Sequence, residues 1–107
     1  MKLIFAIVSN DDAINVQTGL TSSGYSVTRL STAGGFLRAG NTTFLCGTEE
    51  DKVDKAIEII KQNSRSRSQK VPTDISYGVG MYAGFPVEVS VGGATIFVTD
   101  VERFEKV

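Results

Sequence analysis

The stretch NTTFLCGTEEDKVDKAIEIIK, Asn41 to Lys61, sets a strand directly before the clearest helix of the chain. Asn41 to Gly47 reads as the strand. Thr48 is placed to cap the helix that follows, with Asp51 three residues on in the manner of a capping box. Val53, Ala56, Ile57 and Ile60 then fall at i, i+3, i+4 and i+7 and make one apolar face. Glu50, Lys52, Lys55, Glu58 and Lys61 supply the wet side.

Upstream, the segment 2–8 (KLIFAIV) is a second strand, apolar in both alternating sets, and therefore expected to be buried on both faces. Ser9, Asn10, Asp11 and Asp12 suit a helix start, and Ala13, Val16, Gln17 and Leu20 keep helical spacing until Ser22, Ser23 and Gly24 end it. Tyr25 to Ser31 alternates and reads as a strand, and a glycine-punctuated connector, Thr32 to Gly40, leads into Asn41.

Downstream, residues 64 to 84 show no convincing period and are expected to be a long loop. Val87, Val89 and Val91 alternate with Glu88 and Ser90, and Gly92-Gly93 is a two-residue turn signal, so residues 87 to 98 are expected to close a hairpin. Its pairing would set Val87, Val89, Val91, Ala94, Ile96 and Val98 on one face, with Phe97 on the other. The order is β-α-β-β-α-β plus an extra C-terminal strand, an α+β ferredoxin-like plait with two helices on one face of an antiparallel sheet.

The 107 residues fit one domain, 1–107, and 41% hydrophobic with 21% charged residues gives it enough apolar material for a core. A net charge of −1 offers no broad attraction to nucleic acid or to anionic membrane. The apolar run Leu3 to Val8 is too short to span a bilayer and has no signal-peptide pattern, so a cytoplasmic location is the expectation. Without histidine the commonest general base and metal ligand are missing, and the lone Cys46 allows neither an intrachain disulfide nor a thiolate metal cluster. An enzyme and a metal site are both disfavoured.

A two-layer plait leaves one sheet face bare, yet the first strand is apolar on both faces and Phe97 points away from the valine face. That bare face is expected to meet another copy of the chain, the alternative being that the long loop closes it. Within Gly34 to Asn41, adjacent glycines let backbone N–H groups converge on an anion, Phe36 and Leu37 offer a wall for a flat base, and Asn41 offers a donor and an acceptor. Residue chemistry alone favours a plain strand connector there. Arg65, Arg67 and Lys70 form a short basic cluster, and Tyr77, Tyr82 and Phe85 are aromatic in the long loop. A solvated cluster and loop anchors are the ordinary readings.

The strings TAGGFLRAGNTTFLCGTEEDKVD (Thr32 to Asp54) and PVEVSVGGATIFV (Pro86 to Val98), with the opening KLIFAIVSNDD, resemble the PstA/DarA family of PII-like proteins over nearly the whole chain except residues 64 to 85. The resemblance implies a bacterial homotrimer that binds cyclic di-AMP, with no other cofactor, in clefts between subunits. It further implies that loop rearrangement signals to an unidentified downstream protein. The positions that match the family's ligand set are Thr28, Gly35, Phe36, Leu37, Asn41, Gly47, Gly92 and Phe97. The chain departs from the family at Gly24, where an asparagine is usual, and at Ser26, where an arginine is usual. Arg65, Arg67 or Lys70 swinging in from the long loop is one way to replace that charge. The alternatives are a PII-like protein for another adenine nucleotide, and a structural trimer without a ligand.

Overall fold

A computed structural model describes residues 1–30, 40–72 and 86–107. The elements run β1 (Lys2–Ser9), α1 (Asn10–Ser22), β2 (Val27–Leu30), β3 (Asn41–Thr48), α2 (Val53–Ser64), β4 (Arg67–Pro72), β5 (Pro86–Val91) and β6 (Ala94–Asp100), with one 3-10 turn at Glu50–Lys52. Four strands make an antiparallel sheet in the order β2-β3-β1-β6. With two helices on one face, this α+β arrangement is compatible with the ferredoxin-like plait.

β1 lies at the centre because both of its faces are apolar. Ile4, Ala6 and Val8 point to the helices and are buried with Phe44 and Cys46 from β3, Val16 and Leu20 from α1, and Ala56 and Ile60 from α2. Each large side chain in this set contributes about 1.5–3 kcal/mol through burial. The opposite set, Leu3, Phe5 and Ile7, is only half-buried. No helix covers it.

Local chemistry sets the helix ends. The Ser9 hydroxyl accepts from the Asp11 N–H at 3.3 Å and caps α1. At the other end the Tyr25 N–H reaches the Leu20 carbonyl at 3.0 Å and the Gly24 N–H reaches that of Thr21 at 3.1 Å. This Schellman closure needs the left-handed backbone of Gly24, φ +91°. α2 starts differently from expectation. Thr48 is the buried last residue of β3 and caps nothing; the 3-10 turn leads into the helix instead, with the Lys52 N–H on the Glu49 carbonyl at 3.0 Å. Val53, Ala56 and Ile60 are buried as the spacing predicts.

The C-terminal hairpin is corrected. β5 does not pair with β6. It pairs with β4, Arg67 opposite Val91 through Pro72 opposite Pro86, as a separate two-stranded ribbon, while β6 pairs with β1, Lys2 opposite Asp100 through Val8 opposite Ala94. The fourth strand of the plait is therefore Ala94–Asp100, and the additional strands precede it rather than follow it. Gly92 and Gly93 both have positive φ, as a tight turn demands, but here they carry the chain from the ribbon to the sheet edge. The Gly93 N–H meets the Ser64 carbonyl there. The free edge of β1 wins β6 because Ile96 and Val98 align with Ala6 and Ile4 on the helix side. Residues 67–72 are likewise a strand, where a loop is expected from sequence.

Candidate functional site

The sheet register sorts the expected ligand residues. Thr28 is opposite Leu45, Leu45 opposite Phe5, and Phe5 opposite Phe97, one row across all four strands. Phe5 belongs to the helix-free face, so Thr28 and Phe97 do too. Asn41 and Gly47 differ from Leu45 by even steps and share that face. The four residues are nonetheless spread out. Thr28 and Phe97 stand on opposite edges, about 14 Å apart at about 4.8 Å per strand, and Asn41 and Gly47 are separated by about 20 Å along β3. Gly35, Phe36 and Leu37 lie outside the described residues, as do Tyr77, Tyr82 and Phe85.

Asn41 and Gly92 come together. They line a cavity of about 330 Å³ with Ile7, Ser9, Gly93 and Thr95. The cavity sits where β1 ends and where β3 and β6 begin. Beside it, hydrogen bonds tie the start of α1 to the start of β3 and to β2. The Asn10 N–H donates to the Gly40 carbonyl at 2.8 Å, the Thr42 hydroxyl donates to Asn10 Oδ1 at 2.5 Å, and Arg29 donates to that hydroxyl at 3.5 Å. Arg29 is therefore on the helix side, opposite in orientation to Thr28.

Arg67 and Asp12 are the feature that sequence reasoning missed. Arg67 Nη2 lies 3.2 Å from Asp12 Oδ1, and its Nη1 also donates to the Arg65 carbonyl at 3.2 Å. The carboxylate is buried in the first turn of α1, where the positive end of the helix favours it. This pair fastens the ribbon to the plait beside Gly92. A Cβ at Gly92 would meet Arg67 Nη1 at 2.6 Å and the Arg65 carbonyl at 2.8 Å. No sequence signal links Asp12 to a residue 55 positions away.

The far end of the sheet holds a second cavity of about 210 Å³, lined by Gly24, Ser26, Gly47, Lys52 and Lys55 among others. Arg67 does not reach it: its guanidinium is bound at the opposite end of β1. Tyr25 anchors the rim, its hydroxyl donating to the Lys52 carbonyl at 2.8 Å, and burial pushes its pKa up. Burial likewise raises the Cys46 thiol, which faces the core. Thr43 is buried on the helix-free face, and its hydroxyl has no partner among the described residues.

Among the described residues no helix is long and apolar enough to cross a membrane. The chain is similar to a crystal structure described as a functionally unknown protein from Pediococcus pentosaceus, at 39% identity and a TM-score of 0.75 over 99% of this chain and 96% of that one. The sequence profile of a family described as cyclic-di-AMP receptor matches residues 1–107. The match spans the whole chain, including residues 64 to 85, which the resemblance of the quoted strings leaves out, and the protein belongs to the cyclic-di-AMP receptor family, the PstA/DarA family of PII-like proteins.

Proposed function

We propose that this protein is a receptor for cyclic di-AMP that works as a homotrimer, with one ligand in each cleft between neighbouring subunits and with a protein partner reading the loop change. Membership of a receptor family supports the ligand class. The observation that carries the cleft is the row Thr28–Leu45–Phe5–Phe97. Two expected ligand residues share a face yet stand at opposite edges, so a compact ligand meets both only when the edge of one subunit lies against the opposite edge of another. The same face exposes Phe97 at 58% and leaves Leu3, Phe5, Ile7 and Leu45 half-buried, apolar area suited to assembly. In this reading Thr28, Asn41 and the backbone of Gly35 to Leu37 hold one adenine and its phosphate. Phe97 adds apolar surface from a neighbour, and Gly47 and Gly92 let the ligand approach the backbone.

Titration calorimetry with cyclic di-AMP, against cyclic di-GMP, AMP and ATP, tests this. Selective binding near one ligand per chain supports it. A folded trimer that takes no cyclic di-AMP but binds AMP or ATP overturns it in favour of another adenine nucleotide, the reading that Gly24 and Ser26 motivate.

A further inference from the structure

We propose that Lys52 and Lys55 form a phosphate-binding subsite in the cavity beside Gly24, Ser26 and Gly47, and that they take a phosphate of the bound dinucleotide. The inference rests on the receptor reading above and supplies it with positive charge from the 3-10 turn and the start of α2. The cavity, about 210 Å³, is lined by two cations and the short polar residues Ser23, Ser26 and Thr48, with no carboxylate in its wall. Lys52 and Lys55 are i and i+3 at the start of α2 and project on one side of it. The backbone of Lys52 is held by the Tyr25 hydroxyl.

The ordinary occupation for such lysines would be the carbonyls at the C-terminal end of α1. Those of Leu20 and Thr21 are already met by the N–H groups of Ser23, Gly24 and Tyr25. Among the described residues neither ammonium has an ion-pair or hydrogen-bond partner. Asp51 and Glu50 precede Lys52 in the chain, and neither lines the cavity. Space is present as well, since a Cβ on Gly24 would meet nothing within 4 Å. At the α1–β2 turn the chain leaves an opening, and two lysines face it, Lys52 from the 3-10 turn and Lys55 from the first turn of α2. Two ammonium groups and hydroxyl donors in one concave site are the chemistry that recognises a phosphate.

The test is titration of wild type and of the Lys52→Gln/Lys55→Gln double variant with cyclic di-AMP over a series of salt concentrations, with inorganic phosphate as a competitor. Trimer mass and melting temperature are monitored, and Lys106→Gln serves as a control for lost surface charge. The double variant is expected to bind about 10-fold or more weakly, as for loss of charge-assisted hydrogen bonds, with a shallower salt dependence. Adding Ser26→Arg to it should recover part of the loss. Equal affinity and salt dependence in wild type and double variant overturn the lysine assignment while leaving the receptor reading standing. Phosphate binding that depends on the lysines without any effect on cyclic di-AMP affinity also overturns it, as a free-anion site. A wild type that takes no cyclic di-AMP overturns the receptor reading, and this assignment with it.

Discussion

Thr28 and Phe97 occupy the two ends of a single row across the sheet, on the same face, with Leu45 and Phe5 between them. About 14 Å of apolar sheet separates them within one chain. Edge residues of this kind meet when subunits pack edge to edge around a closed ring. Phe97, 58% exposed, has little to lose in the isolated subunit. Phe97→Ala is expected to leave the far-UV circular dichroism unchanged and to weaken cyclic di-AMP binding by about 10-fold or more, the loss typical of a buried aromatic anchor. Calorimetry reads it.

Gly92→Ala is expected to destabilise the fold. The residue has φ +79°, and the new methyl would press on the Arg65 carbonyl and on Arg67. Strain and displacement together should cost about 1–3 kcal/mol, measured as a lower urea midpoint. Because Arg67 must move, its bond to Asp12 weakens in the same variant.

Asp12→Asn should loosen the ribbon more than the plait. The carboxylate is the buried partner and Arg67 the half-exposed one, with side-chain exposures of 8% and 48%. Loss of the pair should cost about 1–2 kcal/mol after allowance for the solvent around Arg67. Limited trypsin digestion is expected to cut faster within Arg65–Lys70, while α1 and β1 keep their hydrogen-exchange protection.

The pH dependence of stability should carry a signature of Lys2 and Asp100, paired across β1 and β6. The hydrogen bond from Lys2 holds the Asp100 carboxyl below its ordinary value, so its contribution is present above the unfolded carboxylate pKa and is lost as pH falls through the folded one. The same bond raises Lys2, whose contribution is present below the ordinary lysine value and is lost as pH rises through the folded one. Asp100→Asn should therefore flatten the acid limb of a urea-midpoint-against-pH curve.

Cys46 is expected to resist thiol reagents at neutral pH, since it is buried and its thiol is pushed up. Labelling should proceed at the rate of unfolding, and fast labelling of the native protein would contradict the core placement.

Sequence reading reaches the plait because its periods are strong. The central place of β1, the i, i+3, i+4, i+7 face of α2 and the alternation around Phe97 survive in the structure, although β1 is fully buried on its helix side alone. It fails at the ribbon because residues 67–72, RSQKVP, are polar in both alternating sets before Val71, so no face marks them as a strand. With that partner unseen, β5 is assigned to the nearest strand across Gly92-Gly93. Asp12–Arg67 and the Lys52–Lys55 cavity are invisible for a related reason. Each joins residues whose neighbourhood is created by folding, and charges on a helix surface carry no periodic mark of what they face.

The most direct test of a cleft built by two subunits is complementation in mixed trimers. Thr28→Tyr and Phe97→Ala chains, each selected as trimers with impaired cyclic di-AMP binding, are unfolded together, refolded at equal ratio and titrated with cyclic di-AMP. If each cleft takes Thr28 from one subunit and Phe97 from the next, random assembly restores about one cleft in four to wild-type affinity. If both residues serve the ligand from the same chain, no high-affinity sites return at any mixing ratio, and the shared-cleft account is contradicted.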